Sequence, residues 1–297
     1  MSTAPTPPVA RDYARAVQDF TQLQAQDGAE INPVCRSQLL THGETTDRAI
    51  ILIHGMTNCP QQFCDFAPRL FEQGYNVLIP RMPRNGLTDR NTKALAALSV
   101  AEQIAFGNQI CDIAYGLGRH VTVAGISAGG VITGWVAQFR PDVDVAVLIA
   151  PSFGIVPRLP IANDSANWLA MQLLLTLPNI MTQRIRPFTE GPPQGYFGFA
   201  TRGLARAMKL GAEVFQAAKK QPPAARSILF ILNRNDPAVN NDVALQLARR
   251  WREHGAAITN YAFPAERKLI HDIIDPQQPQ QQTAYTYPIL LDLLTKA

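Results

Sequence analysis

Six short apolar runs restrict what this chain can fold into more than any other feature: Ala49–Ile53, Tyr75–Pro80, His120–Ile126, Val143–Ala150, Ser227–Leu232 and Ala257–Phe263. Near-continuous apolar, β-branched strands belong to sheets covered on both faces. Between the runs lie stretches with helical spacing: Arg11–Gln26, Pro60–Gln73, Ser99–Leu117, Ala128–Phe139, Asn240–His254 and a last one around Thr283–Leu294. Ser99 followed by Glu102 is a capping box, and Gly74 closes the helix before it. The alternation predicts an α/β fold with a mostly parallel sheet and helices on both faces, with Ser37–Thr41 as an edge strand.

The alternation breaks once, from Pro151 to Pro223, where two helical stretches (Asn163–Leu177 and Ala200–Lys219) flank a Pro/Gly-rich segment. An insertion of this length after a strand reads as a helical cap over the end where the loops gather. The expected organisation is an N-terminal extension with a helix over residues 1–36, a core from 37–150 and 224–297, and a cap insertion over 151–223.

Gly125-Ile126-Ser127-Ala128-Gly129 sits where a strand runs into a helix, the setting in which G-x-S-x-G has mechanical meaning. The flanking glycines allow a tight turn that projects the Ser127 hydroxyl above the sheet. A serine hydroxyl is a weak nucleophile until an imidazole, held in one tautomer by a carboxylate, takes its proton. After such a turn the acid and then the histidine follow on loops behind late strands. Asp236 lies on the turn after Ser227–Leu232, where it is either the acid or a structural turn residue before Pro237. Of five histidines, His271 alone follows the last strand. Asp272 and Asp275 are rival acids, although Asp272 adjoins the histidine and is better placed to cap the next segment. Charge developing on a carbonyl oxygen needs N–H donors. The backbone N–H groups of Ala128 and of Met56, in the loop His54-Gly55-Met56-Thr57-Asn58, are the candidates. Gly55 allows close approach there, and His54 is read as a structural residue beneath the loop.

The remaining composition narrows the function classes. A net charge of +4 with no run of like charges argues against nucleic acid as a partner. No signal-like segment opens the chain, and the longest apolar stretch, Trp168–Leu177, is far short of the ~20 residues that span a bilayer. A soluble, cytoplasmic protein is expected, with its four cysteines (Cys35, Cys59, Cys64, Cys111) reduced rather than paired or metal-bound. Contact with a lipid surface and the oligomeric state stay open.

Taken together, Leu52-Ile53-His54-Gly55-Met56, the Gly125–Gly129 turn, Asn235-Asp236-Pro237 and His271-Asp272 give the chain its resemblance to the α/β-hydrolase superfamily. The likeness extends from about Ser37 to Leu294 and is strongest toward bacterial carboxylesterases and monoacylglycerol-lipase-like enzymes. The cap, the Pro/Gln-rich segment after His271 and the N-terminal helix match no subfamily pattern. The resemblance implies the α/β-hydrolase fold and a serine hydrolase that cleaves carboxylic esters through an acyl-serine intermediate, without metal or cofactor. A small-molecule apolar ester is the expected substrate, with Trp168, Leu169, Leu173, Met208 and Phe215 either lining its pocket or packing the cap onto the core. A lipase or lysophospholipase, and a thioesterase or acyltransferase, would use the same residues. A binding protein for an apolar ligand is the reading from another class, and the full set of candidate residues counts against it.

Overall fold

A computed structural model describes residues 11–154, 169, 172–173, 181–182 and 191–297. Its centre is a seven-stranded sheet built from β1 (Gln38–Leu40), β2 (Thr46–Ile53), β3 (Tyr75–Ile79), β4 (Gly118–Ile126), β5 (Val145–Ile149), β8 (Ser227–Asn233) and β9 (Ala257–Phe263). The short strands β6 (Met181–Thr182) and β7 (Phe199–Ala200) form a separate pair. The order across the sheet is β1-β3-β2-β4-β5-β8-β9, with β1 antiparallel to β3 and every other neighbour parallel. The mostly parallel sheet is the one expected from the alternation of strands and helices, and the fold is the α/β-hydrolase fold that the resemblance implies.

Each central strand sends alternate residues to opposite faces. Ile51 and Ile53 of β2 join one apolar cluster with Val121, Val123, Ala146, Leu148 and Phe230. Ile50 and Leu52 join the other with Ala124, Val147, Ile149 and Ile231. The first face is covered by α1 (Tyr13–Ala25), α3 (Val100–Leu117), α4 (Ala128–Phe139), α5 (Thr201–Ala218) and α6 (Asn241–Glu253). The second is covered by α2 (Ala67–Phe71) and α7 (Thr283–Lys296).

The helix starts follow their sequence signals. Ser99 Oγ accepts the Glu102 N–H at 3.1 Å while Glu102 Oε2 accepts the Ser99 N–H at 2.8 Å, so the capping box closes in both directions. Asp12 and Asn240 cap α1 and α6 with their side-chain oxygens. The continuous helix expected over Pro60–Gln73 is instead a 3-10 turn, Pro60–Phe63, followed by α2. Pro68 carries no N–H to continue a helical ladder back to Cys64, so the run breaks there. Its apolar side chains are buried all the same: Phe63, Phe66, Ala67 and Leu70 are at most 1% exposed.

Two expectations about the edges of the fold change. The N-terminal helix is packed into the core: Ala16, Phe20 and Leu23 join the cluster beneath α3, and a Cβ on Gly116 would lie 2.5 Å from the Asp12 carbonyl oxygen. Of the expected cap, α5 also belongs to the main core, where Leu210, Val214 and Phe215 are buried with residues of α4 and β5. The helix expected over Asn163–Leu177 falls almost wholly outside the described residues.

Phe20 is the largest of the three buried side chains that dock α1 on the core. Phe20→Ala is expected to lower unfolding stability by about 3 kcal/mol, read as a shift in urea midpoint. Ser99→Ala is expected to lose about 1 kcal/mol through its cap alone; unchanged midpoints would show that neither helix end carries these contacts.

Candidate active site

β4 ends at Ile126, and Ser127 makes the turn into α4 with φ 58° and ψ −116°. A non-glycine residue rarely holds a positive φ, and such backbone costs about 1–3 kcal/mol unless its surroundings enforce it. They do so here. The Ser127 N–H donates to Ile149 O at the end of β5 (3.0 Å), and the Ser127 carbonyl accepts from Ser152 (3.1 Å) and Val131 (3.2 Å). The flanking glycines act differently from the sequence expectation, because the left-handed backbone belongs to Ser127 itself and not to them. Gly125 and Gly129 are required by crowding. A Cβ on Gly125 would lie 2.4 Å from Gly129 O, and one on Gly129 would lie 2.3 Å from Ile53 O. At Gly55, by contrast, an added Cβ would only touch Ser127 Cβ at an ordinary 3.6 Å. The close approach assigned to Gly55 thus resides in the turn beside it.

β8 and β9 deliver the other two groups. Asp236 follows β8, its side chain fully buried, and its two oxygens divide the work. Oδ1 accepts the N–H groups of Ala238 and Val239 at 2.8 and 3.1 Å, which fixes the carboxylate. Oδ2 lies 2.8 Å from His271 Nδ1. A carboxylate there holds the proton on Nδ1 and leaves Nε2 as the lone-pair nitrogen. Both rivals are engaged elsewhere. Asp272 Oδ1 accepts from the Ile274 and Asp275 N–H groups, as a cap does, and Asp275 Oδ2 accepts from Asn58 Nδ2 at 2.7 Å.

The loop after β2 is held by side chains that the sequence singles out only in part. His54 is fully buried; the Met82 N–H donates to its Nε2 at 3.0 Å, so the ring proton sits on Nδ1 and is given to Gly55 O at 2.8 Å. Burial, opposed by the Gly55 hydrogen bond and aided by the Arg81 charge, lowers its pKa from 6.5 to about 3. His54 is therefore neutral at working pH, in keeping with the structural role expected for it. Its hydrogen bond has a directional consequence. The peptide joining Gly55 to Met56 is trans and planar, so its carbonyl and its N–H point opposite ways. Anchoring Gly55 O aims the Met56 N–H away from His54. Among the described residues, neither the Met56 nor the Ala128 N–H finds an acceptor within the protein.

Gln62, Asn58 and Asn85 complete the frame, and no sequence pattern pointed to them. Gln62 Oε1 accepts the Gly55 N–H at 2.8 Å, and Asn85 Nδ2 donates to the carbonyls of Met56 and Asn58. Behind the loop, Cys59 is bonded to Cys35. This corrects the expectation of four reduced thiols and removes one support for a reducing compartment; Cys64 and Cys111 are free. A separation of 24 residues carries no pairing signal, and only the packing of the Pro33–Cys35 turn against the loop brings the two sulfurs together.

Ser127, His271, Met56 and Ala128 all line one cavity of about 580 Å³. Ile126, Phe199, Leu204, Val239 and Ile270 give it apolar walls, and Gln278 and Gln280 a polar rim. Of the pocket residues expected from the cap, Met208 and Phe215 do not line this cavity. Met208 and Phe215 are 5% and 6% exposed on the core side of α5, with Phe215 edge-on to Phe153. Phe215 joins the core cluster with residues of α4 because the strongly one-sided α5 turns that face inward, leaving Leu204, nearer its start, for the cavity. Leu169 and Leu173 are more than half exposed, and Trp168 lies outside the described residues. Among the described residues no group of three or more His, Cys, Asp or Glu side chains converges to hold a metal ion. None of their helices is long and apolar enough to cross a membrane.

A serine on a strained strand-to-helix turn above a mostly parallel sheet marks the nucleophile-elbow class of α/β proteins. The chain belongs to the alpha/beta hydrolase family, whose profile matches residues 50–270. A thermostable monoacylglycerol lipase of Bacillus sp. (strain H-257) is 27% identical over 119 residues, which are 39% of this chain and 45% of that lipase. The match thus spans less than half of that relative. The fold resembles a structure described with LipS and LipT, two metagenome-derived lipolytic enzymes, at a TM-score of 0.64 and 16% identity over 90% of this chain and 100% of the other. A soluble variant of monoglyceride lipase from Saccharomyces cerevisiae in complex with a substrate analog also gives 0.64, at 13% identity over 88% of this chain and 90% of the other.

The charge state of His271 yields a pH prediction. Burial lowers its pKa, but the hydrogen bond and charge of Asp236 and the charge of Asp272 outweigh it and leave the value above the ordinary 6.5. A base must be unprotonated, so any His271-dependent rate is lost as pH falls through that raised value. The acid limb of kcat/KM is expected above pH 6.5. In Asp236→Asn the limb should move to lower pH and kcat fall by about 10⁴-fold, because an amide no longer enforces the Nδ1–H tautomer. A limb that stays in place would remove Asp236 from the site.

Proposed function

We propose that this protein is a serine hydrolase of carboxylic esters that works through an acyl-serine intermediate. The observation that carries the reading is the 2.8 Å contact between Asp236 Oδ2 and His271 Nδ1, made on the same cavity as the strained Ser127 turn. Ser127 Oγ attacks the ester carbonyl carbon as His271 Nε2 takes its proton. The oxyanion of the tetrahedral intermediate accepts from the Met56 and Ala128 N–H groups. Donors of this kind are worth about 2.7–4 kcal/mol each because they are already oriented when the charge appears. Collapse expels the alcohol, which takes the proton from His271. Water, activated by the same imidazole, then releases the acid and restores Ser127.

The cavity supports an apolar substrate of modest size. Its volume falls within the ~300–1,000 Å³ of small-molecule sites, and its apolar walls meet a polar rim at Gln278 and Gln280. Gly191, Phe199 and Leu204 bring the inserted segment onto this wall, so these residues border the bound substrate. The partial match to a monoacylglycerol lipase supports a carboxylesterase or lipase reading.

The test is hydrolysis of p-nitrophenyl esters from acetyl to palmitoyl, with amide and thioester analogues alongside. Ser127→Ala is expected to lower kcat by at least about 10³-fold without shifting thermal unfolding, and to abolish labelling by an ester-mimicking phosphonate. A Ser127→Ala protein that keeps full activity would falsify the assignment. Preference for thioesters by more than tenfold in kcat/KM would replace esters as the substrate class.

A further inference from the structure

We infer that Asp275 is a positioning residue that, through Asn58, fixes the direction of the Met56 N–H; the inference rests on the ester-hydrolase reading above. Asp275 is fully buried and Asn58 is 5% exposed, and the bond between them is 2.7 Å long. It joins the loop after β2 to the segment that follows His271, so it connects the candidate oxyanion donor with the loop of the candidate base.

The chemistry of the two side chains gives the bond its directing power. An ionised carboxylate only accepts, whereas an amide has one accepting and one donating end. Asp275 uses both oxygens: Oδ1 takes the Gln277 N–H at 2.9 Å and Oδ2 takes Asn58 Nδ2. The amide of Asn58 is thereby held one way round, with its Oδ1 turned to the Cys59 N–H at 2.9 Å. A reversed amide would set an NH₂ group against that N–H. The Asn58 main chain is engaged as well. Its carbonyl accepts from Asn85 Nδ2 at 3.0 Å, and its N–H donates to Gly55 O at 3.1 Å.

That last bond reaches the chemistry. Gly55 O belongs to the same peptide plane as the Met56 N–H, and it is held from two sides, by His54 Nδ1 and by Asn58 N–H. Rotating this planar peptide swings the donor through the same angle, displacing it opposite to the carbonyl. His54 sets one constraint from within its own short loop, and Asp275 supplies the other from more than 200 residues away in the sequence. Without Asp275, Asn58 loses its orientation, Gly55 O loses half its anchoring, and the Met56 N–H drifts from the position an oxyanion would occupy. Misplacements on the scale of an ångström reduce rates about 10²-fold.

The role is separable from that of Asp236 and from plain fold stability. Asp275→Ala and Asn58→Ala are each expected to lower kcat by about 10- to 100-fold with KM within about twofold. The double variant should be no slower than the slower single one, since the two residues act through each other. Affinity for a trifluoromethyl ketone, whose hemiketal places an oxyanion in the same hole, should fall in parallel with kcat/KM. The acid limb of the pH profile should stay where it is. Asp275→Asn keeps the volume while turning one accepting oxygen into a donor, and its loss should lie between wild type and Asp275→Ala. Endpoint labelling by the phosphonate and thermal unfolding count the folded, competent sites, so rates are expressed per site.

Unchanged kcat and ketone affinity in Asp275→Asn and Asp275→Ala, at full site count, would overturn the inference. Additive losses in the double variant, or an acid limb displaced in Asp275→Asn, would do so too, the latter by showing that Asp275 acts on His271. If wild-type protein neither hydrolyses esters nor takes the phosphonate, the ester-hydrolase reading falls first and the inference falls with it. If wild type does both and the variants match it, only the positioning role is lost.

Discussion

Parallel pairing of β2, β4, β5, β8 and β9 lays their carboxyl ends along one edge of the sheet, and every group of the site hangs from that edge. Strands buried on both faces satisfy their backbone groups within the ladder, so the chain is freed from it only where a strand ends. Met56, Ser127 and Asp236 lie just past such exits, and His271 lies on the loop beyond β9, the half-exposed edge strand. The Ser127 turn is the most constrained of them. Its positive φ is held by a hydrogen bond to the last residue of β5, and its two glycines are dictated by the carbonyls pressed against them. A change in register between β4 and β5 would remove the hydrogen bond and the support for the strained serine together.

Two histidines show how environment assigns roles to the same side chain. Among the described residues His54 has no carboxylate partner; burial drives it far below the imidazole range, and it serves as a fixed donor and acceptor between Gly55 and Met82. His271 is opposed by burial as well, yet the carboxylate of Asp236 against Nδ1 reverses the outcome. One ring orients a peptide and does not titrate near neutrality. The other lines the cavity with its Nδ1 against Asp236. Only the second requires an acid, which is why the carboxylate of Asp236 is surrounded by N–H donors that keep it in place.

The parts of this arrangement that were legible in the sequence are those written in local patterns. The apolar strands, the capping box at Ser99 and the G-x-S-x-G turn depend on neighbours within a few residues, and each lies where those patterns put it. The order of Asp236 and His271 along the chain was legible too, because each follows a recognisable strand. The break at Pro68 was visible as a residue but was outweighed by an apolar stripe that packs equally well when interrupted. Met208 and Phe215 were apolar residues on a helix, a description that fits a pocket wall and a core alike. Which it is depends on the rotation of α5 against α4, to which the helix's own sequence contributes only one side.

Long-range partners were not legible at all. Nothing local marks Cys35 for Cys59, Asn85 for the carbonyls of the loop, or Asp275 for Asn58. By itself, the sequence determined the alternation of strands and helices, and hence the parallel sheet, the Gly125–Gly129 turn and the order of the groups behind it, because periodicity and turn chemistry act between adjacent residues. Only the tertiary structure decided which carboxylate faces His271, which way the Met56 N–H points and which apolar residues line the cavity. Those outcomes depend on the direction of hydrogen bonds and the rotation of packed elements, which are set when distant segments meet.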